Sequence, residues 1–483
     1  MSITRVICKD FDVSFNSFLK ITSHKLAHDC TSFVDNIPAL NSPQELNFEH
    51  MGCLVSTQKG SGGNGRWPRN VGEVAVFVPA IRIPKPVDFT QQLGDDISRT
   101  LVERLSALRT RIVVMAGQEA PSATKPRRTA TQHGGSTLAD LQQALEDYLP
   151  VLLGLVENGN EPQHELHFSW LNQEDTTEET TMSTTWYEVL SVLHLMAVLS
   201  LSQANLLLLP VTSNDDHLSK LSEERRRACI DIFLKAAGYL DFSIQHVLPR
   251  FPPELRKDLP LDLAEGVLRA LCLQALGQGV DVQLGMAIDS VKATLAVKRR
   301  LACEMVKYWH QAQENIVDLP LANGWGEKHK LFIQWKYAEA KAVAYYYHGS
   351  ILDEGNAERS KEMAAAAAQQ AAELFCKQSK KSCESFHMAP PLSRNPTSWG
   401  TTKLLSEKIP RDKLSKAQHN APQHNDEIIG KGALRFIKFL KLKAPLQSSS
   451  SHANRSMQSL PFLGMRGEPS NLKRAHLSWK EVE

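Results

Sequence analysis

The sequence predicts an all-α protein in which a long series of helices follows a small β element. Three observations support this fold class. Apolar residues recur at intervals of three and four over most of residues 95–386, which is the spacing of one helix face. Strand signals are confined to residues 74–78 and 166–170. The connections between the helical patterns are short and polar, which is typical of a helical solenoid or an elongated bundle.

The β element is predicted at the start of this region. Val74–Val78 is a short β-prone run, and Pro79 and two later prolines disfavour helix in their neighbours. Thr137–Asp140 fits a capping box, so a helix is expected to begin there and to kink at Pro150. Between these two points one helical stripe is formed by Ile97, Leu101, Leu105, Leu108 and Ile112.

A charge-free segment further along is interpreted as a buried core helix. From Val189 to Asn214 there is no Asp, Glu, Lys or Arg, so the segment has the apolar character of a membrane span. Ser191, His194 and Gln203 are spread through it, and such groups would need partners in hydrocarbon. Helices are predicted here and beyond over residues 183–209, 222–248, 262–278, 286–316, 326–349 and 357–386.

The two ends of the chain differ from this helical region. Residues 1–71 show no sustained period and include a Gly/Asn-rich loop, so we expect them to be irregular. Residues 391–483 are rich in Pro, Ser, His and Asn, and they are predicted to form a low-complexity, disordered tail.

Composition restricts the class of partner. The 483 residues are 42% hydrophobic and 22% charged, with a formal net charge of +2. These values are ordinary for a globular protein, and the near balance of charge favours neither nucleic acid nor any other polyanion as a general partner. The eight cysteines are scattered without a C-x-x-C pair, which is typical of thiols in a reducing compartment. No secretion signal is expected, and the cytoplasm is the predicted location.

No motif predicts a catalytic residue, a metal, a cofactor or a small-molecule substrate. The chain has no P-loop, zinc-protease or nucleophile-elbow pattern. Gly60–Gly65 fits G-x-G-x-x-G, but no apolar strand precedes it and a Trp-Pro pair follows where a helix should begin. His164 and His167 lie on a strand-like segment, where alternation places them on opposite faces. An enzyme with a site assembled only in three dimensions remains one alternative.

Several short strings follow one another along the chain in a fixed order. They include Phe168–Trp170, Trp186–Leu190, Ala236–Leu240, Lys298–Ala302 and Tyr337–Ala340. In this order they resemble the BRO-type endosomal-targeting domain family, and the resemblance covers residues 72–390. It implies a boomerang-shaped domain with a tetratricopeptide-like helical core and a small N-terminal β element.

The resemblance implies a non-catalytic adaptor that docks an amphipathic helix of an ESCRT-III-type subunit at endosomal or other membranes. By position, the family's aliphatic pair falls on Val297 and Leu301, one helical turn apart. The aromatic member of the patch falls near Val280, where this chain has no aromatic ring. A scaffold that binds an unrelated peptide is therefore a second alternative. Val297 and Leu301 also fit a core stripe with Ile288, Val291, Leu295, Ala302, Met305 and Trp309.

A lipid anchor is predicted if translation starts at Met51. Met51–Ser56 fits the N-myristoylation pattern, with Gly52 as the acceptor and Cys53 as a neighbouring palmitoylation site. One myristoyl chain binds membranes only marginally, and a palmitoyl group would supply the second signal. The expected location is then cytoplasmic, with peripheral attachment to the endosomal or plasma membrane.

Overall fold

The structure is a computed structural model. By internal contacts the chain divides after Leu434, and every described residue belongs to the first unit, Met1–Leu434. The described residues are 74–89, 98–119, 138–157, 166–173, 179–209, 222–321, 324–354, 359–396, 405 and 408–412.

Helices dominate the described residues, as predicted, and a small sheet lies near their N-terminal end. The α-helices are α1 Arg99–Glu119, α2 Leu138–Glu157, α3 Thr185–Leu207, α4 Glu223–Phe242, α5 Pro253–Lys257, α6 Glu265–Asp289, α7 Leu295–Ile316, α8 Trp325–Glu354 and α9 Arg359–Met388. A π turn at Ser243–Val247 and a 3₁₀ turn at Leu248–Arg250 follow α4, so the helix predicted to reach residue 248 ends earlier.

The sheet has three antiparallel strands in the order β1-β2-β3, which are Arg82–Pro84, Phe168–Asn172 and Glu179–Met182. The strand predicted at residues 74–78 is wrong. Val74 and its neighbours are buried, but side chains of α6 bind their carbonyls in place of a strand: Gln274 Nε2 donates to Phe77 O and Gln278 Nε2 to Ala75 O, both at 2.8 Å. The β-prone composition of residues 74–78 therefore reflects their burial, not pairing with a neighbouring strand.

A buried ion pair attaches the sheet to the helices. The Arg82 guanidinium donates to both carboxylate oxygens of Asp262, at 2.8 and 2.9 Å, and to the Tyr187 hydroxyl at 2.8 Å. Arg82 and Asp262 are almost fully buried. Nη1 makes both bonds to the carboxylate and Nη2 makes the bond to Tyr187, so the guanidinium is held by two different partners.

A second buried network surrounds Glu188 of α3. Its carboxylate accepts from Trp170 Nε1 at 2.7 Å, Tyr148 Oη at 3.2 Å and Arg109 Nη2 at 3.3 Å. Burial raises the pKa of Glu188, and Arg109 opposes that rise. Through these bonds one carboxylate joins α1, α2, β2 and α3.

The charge-free segment forms α3. Within the described part of the chain, α3 is the one helix long and apolar enough to cross a membrane, but 78% of its most apolar window is buried inside the protein. Ser200 Oγ donates to the Met196 carbonyl at 2.8 Å, so a local bond satisfies this hydroxyl. The burial agrees with the predicted core helix.

The boundary between α6 and α7 differs from the prediction. α6 continues to Asp289, and residues 290–294 form a turn before α7, which begins after its N-cap Thr294. Ile288 therefore belongs to α6, and Val291 is fully exposed in the turn (102%). These two residues do not share a core stripe with Leu295, as the sequence had suggested.

Each long helix packs against the next from α3 onward: α3 on α4, α4 on α6, α6 on α7, α7 on α8 and α8 on α9. Trp309 of α7 fills the space between α6 and α8. A Cβ at Gly277 of α6 would lie 3.0 Å from the Trp309 ring, and the Phe332 ring of α8 meets it edge-on at 5.8 Å. The predicted all-α class with a small β element is confirmed.

Candidate docking surface

The candidate docking surface lies on α7, which packs against both α6 and α8. Its inner stripe is buried, and its outer stripe includes exposed Arg300, Lys307 and His310. Between these stripes are two half-buried flanks, one beside α6 and the other beside α8. The inner stripe consists of Ala302, Met305, Trp309, Ala312 and Ile316.

Close approaches set the register of α6 and α7. A Cβ at Gly266 would lie 2.6 Å from the Asn315 carbonyl oxygen, so only glycine permits the helices to meet here. Further along, Cys272 and Tyr308 are near enough to interact electrostatically. The helices run antiparallel, and this register places Val280 at the level of Leu301.

An apolar surface lies along this seam, which we call the α6–α7 patch. Leu273 and Leu276 of α6 are half-buried, as are Val297, Leu301 and Tyr308 of α7. All except Val297 also pack against the core. The patch therefore presents partly exposed side chains whose inner atoms are fixed by packing, which is the form of a helix-docking site.

The three residues predicted for partner binding have different positions. Val297 and Leu301 lie together on the α6 flank of α7, half-buried. Val280 is fully buried (0% exposed), so it supports the patch from below. The Thr294 Oγ1 accepts from the Val297 backbone N–H at 3.4 Å, and this cap holds the first turn of α7 at the patch.

The sequence prediction did not include Leu273, Leu276 or Tyr308. A signal was present, because Leu273, Leu276 and Val280 recur at helical spacing on one face of α6. That spacing is equally typical of core residues, and only the register of α6 against α7 shows which of them reach the surface.

The rim of the patch is polar. Lys307 donates to Glu304 at 3.2 Å and lies 5.7 Å from the Tyr308 ring centroid. Burial and the Glu304 carboxylate raise the pKa of the Tyr308 hydroxyl, so it stays protonated. A polar rim around an apolar centre is the usual arrangement of a protein interface.

A buried ionic cluster fixes the helices behind the patch. Lys336 of α8 donates to Asp281 of α6 at 2.7 Å and to Glu339 at 3.2 Å. Burial raises the pKa of Glu339 to about 7, and the Asp281 carboxylate adds to that rise. Asp281 follows Val280 directly, so this cluster joins α6 to α8 next to the residue that lies beneath the patch.

Several predicted residues lie outside the described residues. These include the proposed acceptors Gly52 and Cys53, the start at Met51, and His164. His167 is exposed. Across the described ranges, no group of three or more His, Cys, Asp and Glu is placed to hold a metal ion.

Two of the solved structures that this chain resembles contain ALIX. The "ALIX BRO1 CHMP4C complex" is 17% identical with a TM-score of 0.50, covering 72% of this chain and 88% of that chain. The "Crystal Structure of ALIX in complex with the SIVmac239 PYKEVTEDL Late Domain" is 15% identical with a TM-score of 0.50. It covers 72% of this chain but 45% of that one, so the match spans under half of the longer ALIX chain. These similarities show a shared fold.

A comparison with curated protein sequences finds no match. The described residues define the class as an α-helical solenoid with a short antiparallel sheet. The model of the BRO1-like domain matches residues 80–428, well over half of the chain. The chain belongs to the BRO1-like domain family, and the resemblance drawn from short strings is confirmed.

Proposed function

We propose that the protein is a non-catalytic adaptor that docks an amphipathic helix of an ESCRT-III-type subunit on the α6–α7 patch. The observation that carries this proposal is the half-buried pair Val297 and Leu301, one turn apart beside α6. Support also comes from the family and from the ALIX structure described as a complex with CHMP4C.

The geometry suits a helix in a groove. Anchors of such a helix recur every three or four residues, and Val297, Leu301 and Tyr308 have matching spacing along α7. Burial of their exposed apolar atoms contributes about 25 cal/mol per Å² removed from water. Because Val280 is fully buried, it offers a partner no surface, and Leu273, Leu276 and Tyr308 supply the apolar area beside Val297 and Leu301.

The test is Leu301→Asp, which places an unpaired carboxylate in the centre of the patch. We expect at least a tenfold loss of affinity for amphipathic helices of ESCRT-III subunits, measured by fluorescence anisotropy. Val306→Asp is the matched control, because Val306 is half-buried on the opposite flank of α7. It should bind like the parent.

Thermal unfolding of both variants is measured in parallel. If Leu301→Asp unfolds, Leu301→Ala replaces it, with a smaller expected loss of affinity. Equal binding by parent and Leu301→Ala would refute the patch assignment. If the parent binds none of the subunits, the alternative of an unrelated peptide partner, which the aliphatic residue at position 280 favours, replaces this proposal.

We further propose a cytoplasmic location with peripheral attachment to the endosomal or plasma membrane, through Gly52 and Cys53 when translation starts at Met51. The support for this part is the motif alone. A dual anchor would hold the adaptor at the surface where ESCRT-III subunits assemble.

A further inference from the structure

Lys341 of α8 lies in a recess bordered by aromatic rings. Its Nζ is 3.9 Å from the centroid of the Tyr337 ring and 5.0 Å from the centroid of the Phe375 ring on α9. The Tyr345 ring stacks on Phe375, with 5.5 Å between the centroids and 10° between the ring planes. The rings of Tyr337, Tyr345 and Phe375 form what we call the aromatic recess. Lys341 and the three aromatic residues are all half-buried, so solvent reaches the recess.

Lys341 differs from the other lysines of α8 in having no hydrogen-bond acceptor. Each of the other three donates its Nζ to an oxygen: Lys336 to Asp281 at 2.7 Å, Lys328 to the Ala389 carbonyl at 2.6 Å and Lys330 to the Val317 carbonyl at 3.0 Å. Among the described residues, no oxygen accepts from Lys341 Nζ, and its contacts are with the two nearest rings of the aromatic recess.

An amine in this position is easily deprotonated. A half-buried ammonium without an acceptor loses hydration that ring contacts restore only in part. Burial is the sole cause that lowers the pKa of Lys341, to about 8. Burial also raises the pKa of the Tyr337 and Tyr345 hydroxyls, which therefore stay neutral. On α7, His310 lies 5.3 Å from the Tyr337 ring and pairs with Glu314, so the charges on that side offset each other.

Deprotonation makes the amine a nucleophile. At pH 7.4 an amine with a pKa of about 8 is about one-fifth neutral, whereas an ordinary lysine is roughly 0.1% neutral. Only the neutral amine has a lone pair that attacks a carbonyl carbon. A weaker base is a weaker nucleophile and half-burial slows approach, so only part of this roughly 200-fold difference is retained in the rate.

We propose that Lys341 is a lysine acylation site, that its substrate is a short-chain acyl thioester, and that the aromatic recess receives the acyl group. The amine attacks the carbonyl carbon of the thioester, so that a C–N bond forms and the C–S bond breaks. The proton released by the nitrogen passes through solvent to the thiolate, which leaves as a thiol. No oxidant or reductant takes part.

The recess favours a neutral product. Acetyl-lysine is an uncharged amide, and its methyl group fits against the Tyr337 and Phe375 rings in place of an ammonium that lacks an acceptor. Carbon dioxide would instead give a carbamate anion, which the negative faces of the rings repel. No charged group among the described residues acts on Lys341 strongly enough to shift its pKa, so a carbamate would have no cation beside it.

The test measures acylation at each lysine of the full chain. The protein is treated at pH 7.4 with S-acetyl-N-acetylcysteamine, a small acetyl thioester, to low total conversion, and acetylation is quantified by peptide mass spectrometry. Lys341 should be acetylated at least threefold faster than Lys377 and Lys381, which are exposed on α9. A smaller ratio would overturn the proposal.

The pH dependence tests the cause of the reactivity. The rate at Lys341 should level off at about pH 9, one unit above its pKa, because the amine is then mostly neutral. The rate for Nα-acetyl-lysine amide in the same solution should still rise between pH 9 and pH 10. A rate at Lys341 that rises in parallel with this reference would overturn the proposal.

Phe375→Ala tests the role of the rings, because it opens the recess to water. Hydration of the ammonium should move the levelling-off at Lys341 to higher pH. Leu374→Ala is the matched control, since Leu374 is the exposed neighbour on α9, and it should leave the profile unchanged. Thermal unfolding of both variants is measured in parallel.

If Phe375→Ala unfolds, Tyr337→Ser takes its place and opens the recess from the other side. A profile that levels off at the same pH in the opened variant and in the parent would show that the rings do not set the reactivity of Lys341. That result would overturn the proposal.

Discussion

At the residue scale, His329 links the segment around Phe77 to the helical core. Gln274 uses its Nε2 to donate to Phe77 O, so its Oε1 accepts from His329 Nε2, 2.9 Å away. The His329 ring also stacks on the Phe77 ring at 5.2 Å. Burial lowers the pKa of His329 to about 3, so the imidazole is neutral in the folded protein.

This burial predicts acid sensitivity. The unfolded chain protonates His329 below its ordinary pKa of 6.5, whereas the folded chain does not until about pH 3. The free energy of unfolding therefore falls as pH drops between these values, by about 1.4 kcal/mol per pH unit for one such histidine. His329→Gln retains a donor for Gln274 and removes this titration. The free energy of unfolding, measured with urea from pH 7 to 4.5, should fall less steeply with decreasing pH for the variant than for the parent. An equally steep fall in both proteins would contradict the assignment.

Individual residues also explain why the sequence predicted the family. The string Phe168–Trp170 and the string around Glu188 signalled the family correctly. Their structural reason is the buried network in which Trp170 Nε1 donates to Glu188 at 2.7 Å. Burial of a carboxylate by residues distant in the chain has no local signature. These strings therefore identified the family through fold-stabilising contacts and not through the docking residues.

At the element scale, the Lys336 cluster joins α6 to α8. The cluster contains one lysine and two carboxylates, because Lys336 donates to both Asp281 and Glu339. When both carboxylates are ionised, the cluster carries one uncompensated negative charge. Burial, with Asp281 nearby, raises the pKa of Glu339 to about 7. Ionised Glu339 thus opposes folding above neutral pH.

Glu339→Gln tests this assignment. Between an ordinary glutamate pKa of 4.5 and about 7, the folded state binds more protons than the unfolded state, so the free energy of unfolding falls as pH rises. The variant should lack this fall and be more stable than the parent above pH 7, by on the order of 1 kcal/mol. Glu362→Gln on the exposed face of α9 is the control and should follow the parent. A variant less stable than the parent at pH 8 would show that Glu339 contributes a net favourable pair.

Helix existence was predictable at this scale, but the boundary between α6 and α7 was not. Ile288 and Val291 extend the apolar period of α7 backwards, so the pattern alone continues through the turn at residues 290–294. Thr294 carried the correct signal as an N-cap residue, and its Oγ1 does accept from Val297 N–H. The hairpin geometry that exposes Val291 depends on the packing of α6 against α7, which no local pattern contains.

At the scale of the whole molecule, the proposed lipid anchor predicts location. A chain that starts at Met51 should partition to membranes, since two acyl groups give stable attachment where one does not. Gly52→Ala in that chain, and the full chain with its internal Gly52, should both remain soluble. Partition is measured by flotation of cell lysates. Gly52→Ala protein on membranes to the same extent as its parent would reject the anchor.

The fold class was predictable because helical periodicity extends over nearly all of the matched region. The candidate site was predictable only in part. Position in the family gave Val297 and Leu301, but Leu273 and Leu276 join the α6–α7 patch only because α6 packs against α7. Contacts of that sequence separation follow from tertiary packing alone.

Gln274 and Gln278 of α6, which bond the carbonyls of Phe77 and Ala75, have a consequence for synthesis on the ribosome. Gln274 is 197 residues beyond Phe77, and Gln278 is 203 residues beyond Ala75. At translation rates of 5–20 residues per second, the Ala75 and Phe77 carbonyls wait about 10–40 s for their donors. During that time Val74, Val76 and Phe77 are an apolar segment without its final cover, which is the interval in which a chaperone would engage the nascent chain.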